Sequence, residues 1–154
     1  MDLHRGRADL MANSIELAFA DGVYNFALPL ERIDELQRKC GIGIGGLFAR
    51  VIKGANRMGD DIVLAPAQAE FYAIDVVETI RQGLIGGGRG TVDGVEVKVS
   101  PPVAARLVTN YVLNQPLSDA WSLAVSILGA VIVGYDPPKK DAPDDEPATE
   151  TTTA

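Results

Sequence analysis

The sequence predicts an α+β fold in which an N-terminal β-hairpin leads into a compact bundle of about four to five helices, with a small second hairpin at 91–99. Three observations carry this. Ile15, Leu17 and Phe19 alternate with smaller or polar residues before Asp21-Gly22, and Tyr24, Phe26 and Leu28 alternate after it. Pro29, Pro66 and Pro101 each stand ahead of a run of apolar residues at helical spacing. The stretch Ala120 to Val133 is apolar almost all round, as a helix central to a domain or shared with a partner would be.

Taken in order, residues 1–13 mix charges without periodicity and read as a flexible arm. The globular domain spans 14–136. Centring a type I′ turn on Asp21-Gly22 sets Phe19 opposite Tyr24, Leu17 opposite Phe26 and Ile15 opposite Leu28, so six large side chains share a face. Pro29 suits a first helical turn, and Leu30, Ile33, Leu36 and Cys40 then keep helical spacing. Acidic residues lead that helix and Arg38 and Lys39 close it, which suits the helix dipole. Gly41 ends it. The cluster Gly41, Gly43, Gly45 and Gly46 follows a helix rather than a strand and lacks a lysine-serine pair, so it reads as a cap and turn rather than a phosphate loop.

Leu47 to Lys53 reads as a short helix and Gly54 to Ala65 as a loop. A longer helix opens at Pro66, with Phe71, Ile74, Val77, Ile80 and Leu84 as its buried stripe and Glu70, Glu78 and Gln82 outside it. The run Gly86-Gly87-Gly88-Arg89-Gly90 reads as its cap and exit. Val92 to Val99 alternates around Asp93-Gly94 as a second hairpin. Ser100 caps the next helix, whose buried side is Val103, Leu107, Tyr111 and Val112. Asn114-Gln115-Pro116 breaks it, and Ser118 caps a last helix that turns Trp121, Val125, Leu128 and Ile132 to the core. Residues 137–154 are acidic, lack large apolar side chains and read as a disordered tail.

Composition narrows the function. A formal charge of -7 argues against a protein that tracks nucleic-acid phosphates. One cysteine and one histidine exclude an internal disulfide, a cysteine zinc site and a histidine triad within the chain. The opening residues lack a signal-peptide core, and the apolar stretch of the last helix is too short to span a bilayer, so a soluble intracellular protein is expected. Asp60-Asp61 and Asp144-Asp145 read as solvated pairs, Asp75 and Glu78 as surface charges, and Cys40 as a small apolar filler. Arg81 and Arg89 flank the second glycine run, where a pair of cations could hold an anion, but complementation of the helix C-terminus by Arg81 explains its place more simply. No catalytic, cofactor or metal site is expected. A two-stranded hairpin leaves strand edges open, so Ile15, Leu17, Phe19, Tyr24, Phe26 and Leu28 are the expected partner-binding residues, for other copies or for another chain.

Several segments together resemble the gene-transfer-agent family of small tailed-phage proteins, classed with tail assembly chaperones and also labelled tail tube proteins. They are Asp21-Gly22-Val23-Tyr24 with Leu28, then Ile33, Glu35-Leu36-Gln37 and Cys40-Gly41. The run Val77 to Gly88, with IRQGLIGGG as its most specific part, follows, then Ala105 to Val108 with Tyr111-Val112, and Pro116-Leu117 with Ala124, Ile127-Leu128 and Ala130. The segments 59–69 and 91–99 look like insertions against the family pattern. The resemblance implies a non-enzymatic role in tail morphogenesis, in the cytoplasm of a bacterial host, with the tape-measure protein or tail tube subunits as partners. A tail subunit carried in the virion, or a general protein-interaction module, are the other readings. It also implies that a longer form could arise by ribosomal slippage near Pro137-Pro138-Lys139-Lys140.

Overall fold

A computed structural model describes residues 12–135. The expectations for the arm before residue 12 and for the acidic tail lie outside the described residues. In chain order the elements are β1 (Ser14–Phe19), β2 (Gly22–Ala27), α1 (Leu30–Cys40), α2 (Ile44–Ile52), β3 (Ala55–Met58), β4 (Asp61–Leu64), α3 (Ala73–Gly87), β5 (Arg89–Val92), β6 (Val95–Lys98), α4 (Pro101–Tyr111) and α5 (Leu117–Ile132). The fold is α+β, an N-terminal hairpin followed by five helices with further small hairpins.

The first hairpin forms, but its register differs from the expected one by two residues. Leu17 pairs with Tyr24 and Ile15 with Phe26, and the turn is Ala20-Asp21. A slip of two preserves side-chain parity, so the six apolar residues still share one face. The cause lies in Gly22. A methyl group there would overlap the carbonyl oxygen of Thr91, so the glycine is spent inside the strand, and Ala20 takes the positive φ of 56° instead.

The 91–99 hairpin is β5–β6, turned by Asp93 and Gly94 at φ 51° and 78°, the two positive values a type I′ turn requires. It is not an isolated excursion. β5 pairs with β2 at Val23↔Thr91 and Tyr24↔Gly90, giving one sheet of order β1-β2-β5-β6. The stretch expected as a loop over 54–65 is instead a second two-stranded sheet, β3–β4, turned by Gly59-Asp60 with Gly59 at φ 67°. Its Ala55, Ile62 and Leu64 pack on the core while Met58 and Val63 face out.

The helices cover one face of the four-stranded sheet. α3 lies along β2 so closely that a methyl group on Gly86 would overlap the carbonyl oxygen of Ala27, and one on Gly87 that of Asn25. Gly83 in turn faces the Phe26 and Ile127 side chains. The run read as a cap is therefore a cap only at Gly88, whose φ is 72°. The residues before it set the helix-to-strand distance. Around this seam Phe26, Leu36, Leu47, Val76, Ile80, Leu84, Ile127 and Leu128 are buried. Trp121 is buried too, its Nε1–H donating to the Val51 carbonyl at 2.7 Å and its ring 5.0 Å from that of Phe71.

Further expectations are corrected here. Pro66 opens only a 3-10 turn, Pro66–Gln68, and the long helix begins at Ala73. Its buried stripe is Val76, Ile80 and Leu84 with Asp75, Glu78, Thr79 and Gln82, whereas Ile74 is exposed. The short helix starts at Ile44, where the Ile44 N–H donates to Gln37 Oε1 at 2.8 Å. Ser118 lies within the last helix, which follows Pro116. Tyr111 and Ile132 are exposed, whereas their chain neighbours Val112 and Val131 pack in or on the core.

Candidate functional site

The six residues expected to bind a partner divide by depth. Ile15, Tyr24, Phe26 and Leu28 are buried among the chain's own core residues. Leu17 and Phe19 are half-buried at the outer strand and pack on the core only from one side. Phe19 meets Tyr24, Phe26 and Tyr111 edge-on, with ring centroids 6.0 to 6.3 Å apart.

Beside these two side chains the surface opens into a groove of about 900 Å³. One wall is β1 and its turn, from Leu17 to Ala20. The other is the α4–α5 junction and α5 as far as Ser126, including Tyr111, Pro116, Asp119, Ser122 and Leu123. Among the described residues no strand pairs with the outer side of β1. Phe19 and Gly22 flank a two-residue turn and so form the hydrogen-bonded pair that closes it, which turns the N–H and C=O of Ala18 away from β2. The groove thus combines open main-chain donors and acceptors with apolar side chains, the equipment that receives an extended segment of another chain. Just ahead of β1, Ala12 and Tyr135 exchange two backbone hydrogen bonds of 2.9 and 2.8 Å.

The α5 wall escaped the sequence reading. A signal for it exists: Ser118, Ser122 and Ser126 recur every four residues along an otherwise apolar helix, with Asp119 beside them. A polar stripe on such a helix marks the side its own core does not cover.

The ionisable groups inside the fold are used in holding it together. Asp75, expected on the surface, is fully buried and takes a bidentate pair from Arg50, at 2.8 Å to each oxygen. Its Oδ2 also accepts from the Tyr72 N–H at 2.7 Å, starting α3, and the guanidinium lies 4.6 Å over the Tyr72 ring. The hydrogen bond to Asp75 raises the Arg50 pKa further. Glu78 is buried as well, held by Arg81 Nε at 3.1 Å and by Gln82 Nε2 at 3.2 Å, while Gln82 Oε1 accepts from Arg32 at 2.9 Å. Burial, with the charge of Asp75 adding to it, pushes the Cys40 thiol up to about 12, the opposite of what a nucleophile needs. Burial likewise takes Tyr24 to about 12, helped by its hydrogen bond to Asp21. Among the described residues no group of three or more His, Cys, Asp or Glu gathers where a metal could be held. No helix among them is long and apolar enough to cross a membrane.

Comparison with known proteins gives one match. A family model described as "Phage tail tube protein, GTA-gp10" matches residues 12–134, which is the whole described domain but for Tyr135. No curated protein and no solved structure matches.

Proposed function

The chain belongs to the phage tail tube protein family of the GTA-gp10 type, and from that premise we propose that it is a tail assembly chaperone which binds the tape-measure protein and catalyses nothing. A tape-measure protein is a long helical chain prone to aggregate before tube subunits close around it. A small acidic domain with a receptor groove can shield segments of such a chain. The observation that carries this reading is the open β1 edge beside the apolar groove, a surface suited to holding a segment of another chain. The interior charges support the absence of catalysis, because Arg50–Asp75 and Arg81–Glu78 are consumed in structural pairs. The protein then acts in the cytoplasm of the bacterial host, where tails are built.

A second reading is favoured by the wording of the family description itself: a tube or minor tail subunit that stays in the particle. The open strand edges would then join neighbouring subunits. Quantitative mass spectrometry of purified particles separates the two. A chaperone is absent from the finished particle and copurifies with the tape-measure protein from lysed hosts. Recovery from particles at a fixed ratio to the other tail proteins overturns the chaperone reading.

A further inference from the structure

We propose that the groove between β1 and α5 is a strand-acceptor site, and that its occupant is an extended segment of another protein with alternating apolar and basic residues. The inference deepens the chaperone reading by giving its partner a chemistry, and rests on it only in taking the occupant to come from another protein.

The main chain fixes the conformation of the occupant. Among the described residues nothing pairs with the N–H and C=O groups that Ala18 turns to the outer side of β1, and a helix laid there would leave them unsatisfied whereas an added strand pairs with them. At full length β1 has six residues, so an added strand of about that length reaches ~20 Å. The walls fix the alternation. Leu17 and Phe19 on one side and Leu123 on the other give apolar contacts to every second side chain of such a strand, and its remaining side chains face the mouth.

Charge fixes the sign. Asp119, in the first turn of α5, is the one charged residue lining the groove among the described residues, and no salt bridge holds it. Glu16 on the outer face of β1 and Asp21 at its turn surround the same edge, with Arg89 engaging Glu16 only at 3.8 Å. A second copy docking by the same β1 edge would bring its own Glu16, Asp21 and Asp119, which is like charge, whereas a basic segment brings opposite charge.

A peptide assay tests this without any tail protein, so its outcome is independent of particle composition. The probe is a fluorescein-labelled, capped hexapeptide of sequence Lys-Val-Lys-Val-Lys-Val, and its counterpart replaces each lysine with glutamate. Fluorescence anisotropy with the full chain is expected to give saturable binding of the lysine peptide, about fivefold or more tighter than the glutamate peptide. Asp119→Lys is expected to invert that preference. Ala18→Pro removes an outward N–H and should weaken binding about tenfold or more, while Glu96→Pro on the far strand β6 leaves it unchanged. Should Ala18→Pro lose its fold by circular dichroism, Ser122→Trp fills the groove from α5 without touching the ladder and should give the same loss. The proposal is overturned if neither peptide binds at millimolar concentration, or if binding ignores Asp119→Lys and the groove variants alike. It is also overturned if sedimentation shows the wild-type chain self-associating through this edge, because the occupant is then a second copy.

Discussion

At the scale of single residues, the last glycines of α3 do opposite work from Gly129 in α5. A side chain at Gly86 or Gly87 meets backbone oxygen of β2, and backbone cannot step aside as a rotamer can. Gly87→Ala is therefore expected to cost about 3 kcal/mol or more, a large part of the ~5–15 kcal/mol available to a domain. Gly129 sits inside α5 with nothing within 4 Å of the place a methyl group would take, so Gly129→Ala should gain about 0.5–1 kcal/mol through helix propensity. Urea melts of the two variants should move in opposite directions; equal shifts would refute the close-packing account. Cys40 gives a pH-dependent counterpart. Folding lifts its pKa from 9.0 to about 12, so the stability tied to the neutral thiol is complete below pH 9 and is lost as the pH rises toward 12. Cys40→Ala should flatten the fall in stability over that window, leaving the part that belongs to Tyr24. Identical alkaline profiles would count against it.

At the scale of elements, α5 is pinned by Trp121. Trp121→Ala should cost about 3–5 kcal/mol and give an insoluble or molten chain. Trp121→Phe keeps a ring against Phe71 but orphans the Val51 carbonyl, and should cost about 1–3 kcal/mol. A Trp121→Ala chain that stays soluble with an unchanged Tm would remove Trp121 from the core. The elements also mark where sequence reading stops. The β1–β2 face was legible because strand parity survives a slip of two, although the register itself depended on Thr91, which lies 69 positions beyond Gly22. The β5–β6 turn was legible because Asp93-Gly94 is a strong local signal, but its pairing to β2 is a long-range fact. β3–β4 was missed because four-residue strands such as ANRM offer little alternation to count. Asp75 was misplaced for a related reason: a carboxylate looks exposed until its cation is known, and Arg50 arrives from α2, 25 positions earlier. The cation of Glu78 is the local Arg81, and only the burial of that face was hidden. At the candidate site, the strand wall with Leu17 and Phe19 could be read, whereas the wall from α5 required knowing which side of that helix the core leaves uncovered.

At the scale of the whole molecule, the two sheets differ in how they are tied in. The four-stranded sheet is locked to α3 through its glycine seam, whereas β3–β4 pairs with no other strand among the described residues. Hydrogen exchange should accordingly find the ladder amides of Asn56 to Val63 opening about tenfold or more faster than those of Phe26 or Leu84, and equal protection would mean that the hairpin opens only with the whole domain. The Ala12–Tyr135 bridge has a mechanical consequence. It fastens the first and last described residues to each other, so anything joined on either side of the domain departs from one point on its surface. Tension drawn through both flanks would load that two-bond clasp as a zipper before it reached the sheet or the helices.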